Sequence, residues 1–283
     1  MTTSVSDKLI ESLPGLDALA EKFEALWAPL LGADAPRTPR DLLYGTWLGH
    51  PLHPALVTLP LGFWTSAMVF DAVGEERAAD LTVGLGLISA LGAAASGAAQ
   101  WQDSVGDEKP RRLGALHAAL NITATGLYAG SWLARRNGTR GTGIALSTIG
   151  LGLGGFSAWL GGDLTYALGV GVDHGAFEQP PEEWTDVLAE SELTDAVPVR
   201  VMAGDAPVMV IRRNAQISAI SPTCSHLGGP LDEGEIDGDS VTCPWHGSVF
   251  CYRDGRVEHG PATLPQRVYE VRVRDGRIEV RPQ

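Results

Sequence analysis

Cysteine is scarce in this chain, which has three among 283 residues. Cys224 and Cys243 each lie within three residues of a histidine, a spacing typical of metal ligands. If both bind a metal centre, Cys251 has no cysteine left as a disulfide partner. This composition excludes a disulfide-stapled fold and favours a reducing compartment. We expect Cys251 to be a partly buried free thiol.

Positive charge is also sparse toward the C-terminus. Residues 181–283 contain ten arginines, no lysine and 17 acidic residues, a net charge of −7 (10 − 17). Five of these acids crowd into one short stretch: Asp232, Glu233, Glu235, Asp237 and Asp239. Such an excess disfavours binding to nucleic acid. The acidic run is either an ordinary solvated loop or, beside a redox centre, a surface that steers a basic protein partner.

Residues 1–47 lack a basic start followed by an apolar core and a cleavage site, so we expect no signal peptide. Apolar residues recur there at helical spacing: Leu16, Leu19, Phe23, Leu26, Trp27 and Leu30. The opposite face is acidic, which favours docking onto protein over lying on anionic lipid. The sequence therefore predicts an amphipathic helix followed by a linker.

Long apolar runs, by contrast, are present. Four blocks of about 20 residues, each long enough to cross a bilayer, occupy residues 54–73, 81–101, 113–133 and 142–160. Blocks two and four are rich in Gly, Ala and Ser, and Trp101, Trp132 and Trp159 lie near block ends, as membrane helices favour. The sequence predicts an all-α four-helix transmembrane bundle in contact with lipid. Asp71, Arg135 and Arg136 are expected to be solvated helix ends.

Four crossings would place both flanking regions on the same side of the membrane. Near-membrane basic residues number five on that side and four on the other, which hardly distinguishes the two orientations. The absence of a disulfide and of an export signal favours a multi-pass protein of the cell membrane with both ends in the cytoplasm.

The C-terminal region contains Cys224-Ser-His226, then sixteen residues, then Cys243-Pro-Trp-His246. Each arm supplies one thiolate and one imidazole, the ligand set that binds a Rieske [2Fe–2S] cluster with two Cys on one iron and two His on the other. A tetrahedral zinc site is the alternative, but zinc fingers usually group two Cys in one arm and two His in the other. The pattern favours iron and sulfide.

The flanking residues Leu227-Gly-Gly-Pro-Leu231 and Gly247-Ser248 extend the likeness. The chain from about residue 181 to 283 closely resembles the Rieske ferredoxin family, which includes the ferredoxin components of bacterial ring-hydroxylating dioxygenases. The resemblance implies an all-β module that passes single electrons to or from a redox protein such as a reductase or oxygenase. Short β-rich runs fit this fold, at residues 199–202, 208–212, 216–220, 241–243, 249–252, 266–273 and 277–280.

The resemblance also implies the role of each ligand. Cys224 and Cys243 would bind the buried iron, and His226 and His246 the outer iron that faces the partner. Rieske proteins of cytochrome bc complexes carry two more cysteines that cross-link the cluster loops, and here Gly229 and Trp245 stand in those places.

A further departure lies at Phe250, where high-potential members have a tyrosine whose hydroxyl bonds a ligand sulfur. Without that hydrogen bond, we expect a midpoint potential in the lower half of the Rieske span of roughly −150 to +300 mV.

Residues 48–175 resemble a bacterial membrane-domain family of unknown function, numbered 2231. The resemblance rests on three segments: His50-Pro-Leu-His53-Pro-Ala-Leu-Val, Phe70-Asp71 and Gly161-Gly-Asp-Leu164 with the Gly169–His174 run that follows. Members are described as four-helix membrane proteins, which supports the topology and implies no activity.

His53 opens the first apolar block and His117 lies about one turn into the third, so both are expected at similar shallow depth on neighbouring helices. Ionisable groups in a membrane are costly and tend to be functional. Facing histidines could ligate haem b or serve a quinone pocket, and the simpler alternative is that they bond carbonyls near the interface.

Together these patterns predict a multidomain protein with an N-terminal helix and linker (1–47), a membrane bundle (48–175) and a Rieske module (181–283). The function favoured is single-electron transfer by a membrane-anchored iron–sulfur protein. The chain is thus either an electron carrier or an oxidoreductase component. Two alternatives remain: a quinone-linked oxidoreductase that uses the membrane histidines, and a redox-sensing scaffold.

Overall fold

The structure is a computed structural model that describes residues 4–32, 35–104 and 106–283. The chain forms two compact units. The first combines the N-terminal segment up to residue 35 with residues 51–170, and the second combines residues 36–50 with residues 171–283.

The first unit is helical. Its helices are α1 (Val5–Glu11), α2 (Leu16–Leu31), α4 (Leu52–Ala72), α5 (Glu76–Gln102), α6 (Glu108–Arg136) and α7 (Arg140–Tyr166), while α3 (Arg37–Tyr44) belongs to the second unit. In the bundle, α4 and α6 each pack against both α5 and α7, so α4 and α6 face each other across it. The predicted helical region is confirmed.

Three described helices, α4, α5 and α7, are long and apolar enough to cross a membrane. The third predicted block lies within α6, which does not reach that level of apolarity. Its first turns carry Glu108, Lys109, Arg111 and Arg112, and its interior includes Asn121. Length and apolar composition therefore support three of the four predicted spans, and α6 is the one that they do not support.

The basic start of α6 is neutralised by the two N-terminal helices. Arg111 Nε donates to Glu24 Oε1 at 2.6 Å, and Arg112 Nη2 donates to the carbonyl of Ile10 at 2.9 Å. Phe23 of α2 meets Trp101 of α5 edge to face, with ring centroids 6.5 Å apart. Helix α2 thus docks onto protein, although Leu26 of its predicted apolar stripe is exposed.

The bundle is built from two copies of one helical hairpin. Leu52-His-Pro-Ala-Leu56 at the start of α4 recurs as Leu116-His-Ala-Ala-Leu120 in α6, an offset of 64 residues (116 − 52). The turns after α4 and α6 contain Gly74 and Gly138 at the same offset, with φ of 81° and 78°. Positive φ is easily adopted by glycine, so both helices end in the same tight turn.

Packing follows the same 64-residue offset. Six buried positions of α5 match six of α7: Ala79/Gly143, Val83/Ser147, Gly86/Gly150, Ala90/Gly154, Ala93/Ser157 and Ser96/Leu160. Across the bundle, Trp64 of α4 stacks on its counterpart Tyr128 of α6, with ring centroids 4.0 Å apart and planes 5° apart. Sequence reasoning missed this repeat because most of the residues that it keeps are Leu, Ala and Gly.

The expectation of solvated helix ends is wrong for Asp71 and Arg135, which are counterparts in the repeat. Arg135 donates two hydrogen bonds to Asp71, at 2.5 and 2.8 Å. Their side chains are only 1% and 6% exposed. Asp80, Arg140 and the exposed Glu76 extend the pair into a network of three acids and two bases. Burial here is possible because each charge has an opposite partner.

The second unit is dominated by antiparallel β-structure, as predicted. Its strands are β1 (Thr185–Ala189), β2 (Val199–Ala203), β3 (Ala206–Arg213), β4 (Gln216–Ile220), β5 (Glu235–Asp237), β6 (Ser240–Thr242), β7 (Val249–Cys251), β8 (Val257–His259), β9 (Val268–Arg274) and β10 (Arg277–Pro282). They form a six-stranded sheet in the order β1-β10-β9-β4-β3-β2 and a four-stranded sheet in the order β5-β6-β7-β8. Sequence reasoning missed β1, β5 and β8, two of which have only three residues.

A buried core fills the space around both ligand arms. Met209 and Ile211 of β3, Val241 of β6 and Phe250 of β7 are fully buried in one cluster that also includes Cys224 and Cys243. Apolar burial on this side fixes the ends of β4 and β6, from which the two arms emerge. Cys251, predicted to be partly buried, is 3% exposed.

Candidate iron–sulfur centre

The two predicted ligand arms are loops at strand ends. The first arm follows β4, where Thr223 and Pro230 form an isolated antiparallel bridge that closes the loop. The second arm connects β6 to β7. These two strands are antiparallel neighbours in which Ser240 pairs with Cys251 and Thr242 pairs with Val249. Loops held at both ends by sheet structure keep ligand side chains in place.

Both arms use the same backbone turn. The carbonyl of the candidate ligand cysteine accepts from the N–H of a glycine four residues later, from Gly228 to Cys224 at 2.8 Å and from Gly247 to Cys243 at 3.1 Å. Both glycines have positive φ, 78° and 74°. The cysteine N–H donates to the carbonyl five residues later, at 2.9 Å in the first arm and 2.8 Å in the second. This geometry explains why each arm has a glycine four residues after its cysteine.

The side chains of Cys224 and Cys243 are both buried in the same core cluster. The Cys224 thiol donates a hydrogen bond to the Cys243 sulfur, which raises the pKa of Cys224 and lowers the pKa of Cys243. Backbone N–H groups of Trp245 and His246 also hydrogen-bond the Cys243 sulfur. Such donors favour the thiolate, the form that binds a metal.

The two histidines lie further out. The rings of His226 and His246 have centroids 5.1 Å apart and planes at 87°, and both residues are half-buried. Burial lowers the pKa of His226 to about 3 and also lowers the pKa of His246. Both imidazoles are therefore neutral at physiological pH, as a metal ligand requires.

A third loop, residues 260–266, fastens the two arms together. Ser225 Oγ donates to the carbonyl of Leu264 at 2.7 Å, and Ser248 Oγ accepts from the N–H of Ala262 at 3.0 Å. Ser248 also hydrogen-bonds the Cys224 sulfur. The hydroxyl after the second arm thus joins the third loop to a candidate ligand.

These residues fit a [2Fe–2S] cluster. The donor set is two thiols inside and two neutral imidazoles outside. A Cβ on Gly229 would lie 2.7 Å from the Cys243 sulfur and 3.2 Å from the Trp245 ring. The absence of a side chain there keeps the space beside the sulfur open. When bound, the cluster would supply one-electron redox chemistry.

Sequence reasoning missed two carboxylates that brace the centre. Asp41 lies in α3, which precedes α4 in the chain. Its carboxylate accepts from the N–H of Gly260 at 2.8 Å and hydrogen-bonds His259 Nδ1 at 2.9 Å. Glu178 accepts from the hydroxyls of Ser221 at 2.8 Å and Thr223 at 2.5 Å. Each acid is more than 40 residues away in sequence from the groups that it hydrogen-bonds, so no local pattern identifies either one.

The structure also brings the two membrane histidines together. The rings of His53 and His117 have centroids 6.5 Å apart and planes at 85°. His53 Nδ1 lies 2.9 Å from the carbonyl of Ala93, and His117 Nδ1 lies 2.7 Å from the carbonyl of Ser157. Among the described residues, no three His, Cys, Asp or Glu side chains form a single-ion site.

Family comparisons define the class of each half. Residues 183–270 match the Rieske [2Fe-2S] domain, and residues 49–174 match the family described as a predicted membrane protein (DUF2231). The C-terminal module is therefore an iron–sulfur electron-carrier domain whose cofactor is a Rieske [2Fe–2S] cluster. The prediction of iron over zinc is confirmed.

Individual relatives support the same class. Ferredoxin CarAc of Metapseudomonas resinovorans is 38% identical over 98 residues, which are 34% of this chain and 92% of the relative. The anthranilate 1,2-dioxygenase ferredoxin subunit of Burkholderia cepacia is 36% identical over 98 residues, 35% of this chain and 91% of the relative. The cytochrome b6-f complex iron-sulfur subunit of Chlorobaculum tepidum is 36% identical over 76 residues, 27% of this chain and 41% of the relative. The chain belongs to the Rieske family.

One prediction concerns the redox potential. Phe250 is fully buried beside both cysteines and carries no hydroxyl. We expect Phe250→Tyr to raise the midpoint potential, because a hydroxyl donor to a ligand sulfur stabilises the reduced, more negative cluster. The wild-type potential should lie in the lower half of roughly −150 to +300 mV.

The measurement is a redox titration followed by electron paramagnetic resonance. The matched control is Tyr252→Phe, which removes a hydroxyl that bonds the Gly238 carbonyl instead. A wild-type midpoint above about +150 mV, near the top of the family span, or an equal shift in both variants, would contradict this account.

Proposed function

We propose that this chain is a membrane-anchored Rieske protein that carries single electrons between redox partners. Cys224 and Cys243 bind the inner iron of the cluster, and His226 and His246 bind the outer iron. The observation that carries the proposal is the placement of two buried cysteines behind two half-buried histidines on matching turns. Electrons then enter and leave through the imidazoles.

The surface beside the histidines suits a protein partner. Trp245 is 57% exposed, and its ring centroid lies 6.5 Å from that of His246. An exposed aromatic side chain is a typical anchor of an interface. Glu233, Glu235 and Asp237 are also exposed, whereas Asp232 and Asp239 are paired with arginines. We infer a partner with an apolar contact patch and a basic rim, in the class of reductases and oxygenases that Rieske ferredoxins serve.

The test of this function is direct. Detergent-purified full-length protein is reduced with dithionite, and its iron, its resonance spectrum and the number of electrons taken up are measured. We expect two irons per chain, a Rieske signal and one electron per cluster. Zinc in place of iron, or an iron centre that takes up no electron, would refute the proposal.

Contacts within the second unit bear on the number of membrane crossings. Asp41 precedes α4, and Gly260 follows α7, yet the two hydrogen-bond directly at 2.8 Å. Two segments in contact lie on the same side of a bilayer, so the chain between them crosses it an even number of times. Four crossings meet this requirement and three do not, which supports α6 as the fourth span with its charges at the helix ends. We place both flanks in the cytoplasm.

The topology predicts a labelling pattern. Single cysteines at Glu75, Asp107 and Thr139 are introduced into a Cys251→Ala variant and treated with an impermeant maleimide in intact spheroplasts. We expect labelling at Glu75 and Thr139, which lie between α4 and α5 and between α6 and α7, and protection at Asp107.

Each other pattern has a distinct meaning. Equal labelling of Asp107 and Thr139 would mean that α6 does not cross the membrane. Labelling of Asp107 alone would mean that the bundle is inserted the other way and that the Rieske module faces outward. Permeabilised cells, in which all three positions should react, provide the control.

A further inference from the structure

The strongest unexplained feature outside the iron–sulfur centre is the pair His53 and His117. They are counterparts in the 64-residue repeat (117 − 53), lying in α4 and α6 across the bundle from each other. The other side chains kept in both copies near them, such as Leu52/Leu116 and Leu56/Leu120, are explained by packing. A polar side chain kept in both copies, inside a membrane unit, calls for another explanation.

Hydrogen bonds fix the protonation of both rings. A carbonyl oxygen can only accept, so Nδ1 of His53 donates to the Ala93 carbonyl at 2.9 Å, and Nδ1 of His117 donates to the Ser157 carbonyl at 2.7 Å. In the neutral ring, Nε2 of each histidine is then an unprotonated lone pair. A histidine that binds metal through one nitrogen characteristically donates the other N–H to a backbone carbonyl in this way.

The separation of the rings suits a metal ion between them. Their centroids are 6.5 Å apart. Two metal–nitrogen bonds of about 2.0 Å each, together with the half-widths of two imidazoles, span a similar distance. The planes are at 85° to each other, which is compatible with two axial ligands on opposite sides of one iron.

The side chains around the pair determine which metal group it could hold. Among the described residues, no third His, Cys, Asp or Glu joins the pair. A bare ion would thus be left with two protein ligands, whereas haem supplies four equatorial nitrogens and needs only the axial two. On the flanking helices, Gly97 and Gly161 leave room for the rings: a Cβ there would lie 2.7 and 3.1 Å from them. Gly154 is buried, yet a Cβ on it would meet no atom within 4 Å.

We propose that His53 and His117 are the axial ligands of a b-type haem inside the membrane unit. The iron takes up one electron on reduction from the ferric to the ferrous state, which gives the chain a second one-electron centre. One contact must change on binding: the Asn121 amide donates to His117 Nε2 at 3.0 Å and has to turn away. The proposal stands apart from the iron–sulfur function, since it concerns residues of the first unit alone.

The experiment uses full-length protein produced with the haem precursor 5-aminolevulinate and purified in detergent. Haem is measured by the pyridine haemochrome assay and by the dithionite-reduced minus oxidised spectrum. We expect one haem per chain and sharp b-type bands over the broad bleaching of the cluster. His53→Ala and His117→Ala should each lower the haem content by roughly tenfold or more, with the Rieske resonance signal unchanged.

Three further variants separate ligation from a structural role. His50→Ala, three residues before His53, should keep full haem content. Asn121→Leu should also keep full haem content. If the role of His117 were only to hydrogen-bond Asn121, this variant would lose as much haem as His117→Ala. His53→Met supplies another axial ligand, and we expect retained haem with shifted bands, which shows that the bundle has folded.

Several results would overturn the proposal. These are protein without haem, haem that persists in both alanine variants, and copper or zinc bound at the histidine pair by elemental analysis. If haem-free protein instead contained an extractable quinone, and if this quinone were lost in both alanine variants, the pair would bind a quinone and not haem. The cluster signal is read in the same samples, so failure here is distinguishable from failure of the iron–sulfur function.

Discussion

Cys224→Ala is expected to abolish the iron–sulfur cluster. The mutation removes one of the two buried thiols that are proposed to bind the inner iron, and the Cys243 sulfur keeps only its backbone N–H donors. Because ligand binding and folding of a metal site are coupled, we also expect the β-rich unit to unfold at a lower temperature. The measurements are iron content, the resonance spectrum of reduced protein and thermal unfolding followed by circular dichroism.

Cys251→Ala is the matched control. This third cysteine lies in β7 and is as buried as the other two, at 3% exposure. Its replacement creates a similar small cavity, at a cost of roughly 1 kcal/mol, but removes no proposed ligand. We expect a full cluster in this variant. Equal loss of iron in both variants would mean that packing, not ligation, explains the effect of Cys224→Ala.

Asp71→Asn is expected to destabilise the membrane unit by about 3 to 5 kcal/mol, the usual cost of removing one partner of a buried ion pair. After the substitution, Asp80 is the nearest acid to both Arg135 and Arg140. The Arg135 side chain is only 1% exposed, so solvent cannot replace the lost partner. The shape of the side chain hardly changes, so the effect reports charge. Thermal unfolding of the detergent-solubilised protein measures it.

Two controls make the interpretation specific. Asp80→Asn removes the same charge from the same network, but Asp80 is 42% exposed, so we expect a loss of no more than about 1 kcal/mol. Asp71→Asn combined with Arg135→Met should recover part of the loss, because neither partner is then left alone. Equal losses for Asp71→Asn and Asp80→Asn would contradict the importance of burial.

The Rieske cofactor was predictable because it depends on a local pattern. Two Cys/His arms separated by sixteen residues specify the ligand chemistry without any knowledge of long-range contacts. The β-rich runs were likewise recognisable from composition. The strands missed, such as Glu235–Asp237 and Val257–His259, have three residues each, too few for a periodic signal.

The membrane unit was predictable in outline but not in its pairing. Apolar length alone identified the helices, since about 20 apolar residues are needed to cross a bilayer. The position of Arg135 was misjudged because a charge at a helix end is usually solvated. Its burial depends on Asp71, 64 residues earlier (135 − 71), which no local pattern connects to it.

By itself, the sequence determined the two kinds of domain, the identity of the four candidate cluster ligands and the chemistry of the cofactor. These properties follow from residue type and spacing along the chain. Only the tertiary structure decided that Asp41 and Glu178 brace the centre, that Asp71 and Arg135 form a buried pair and that His53 faces His117. Each of these is a contact between distant segments, and its energy depends on burial and geometry that arise only when the chain packs.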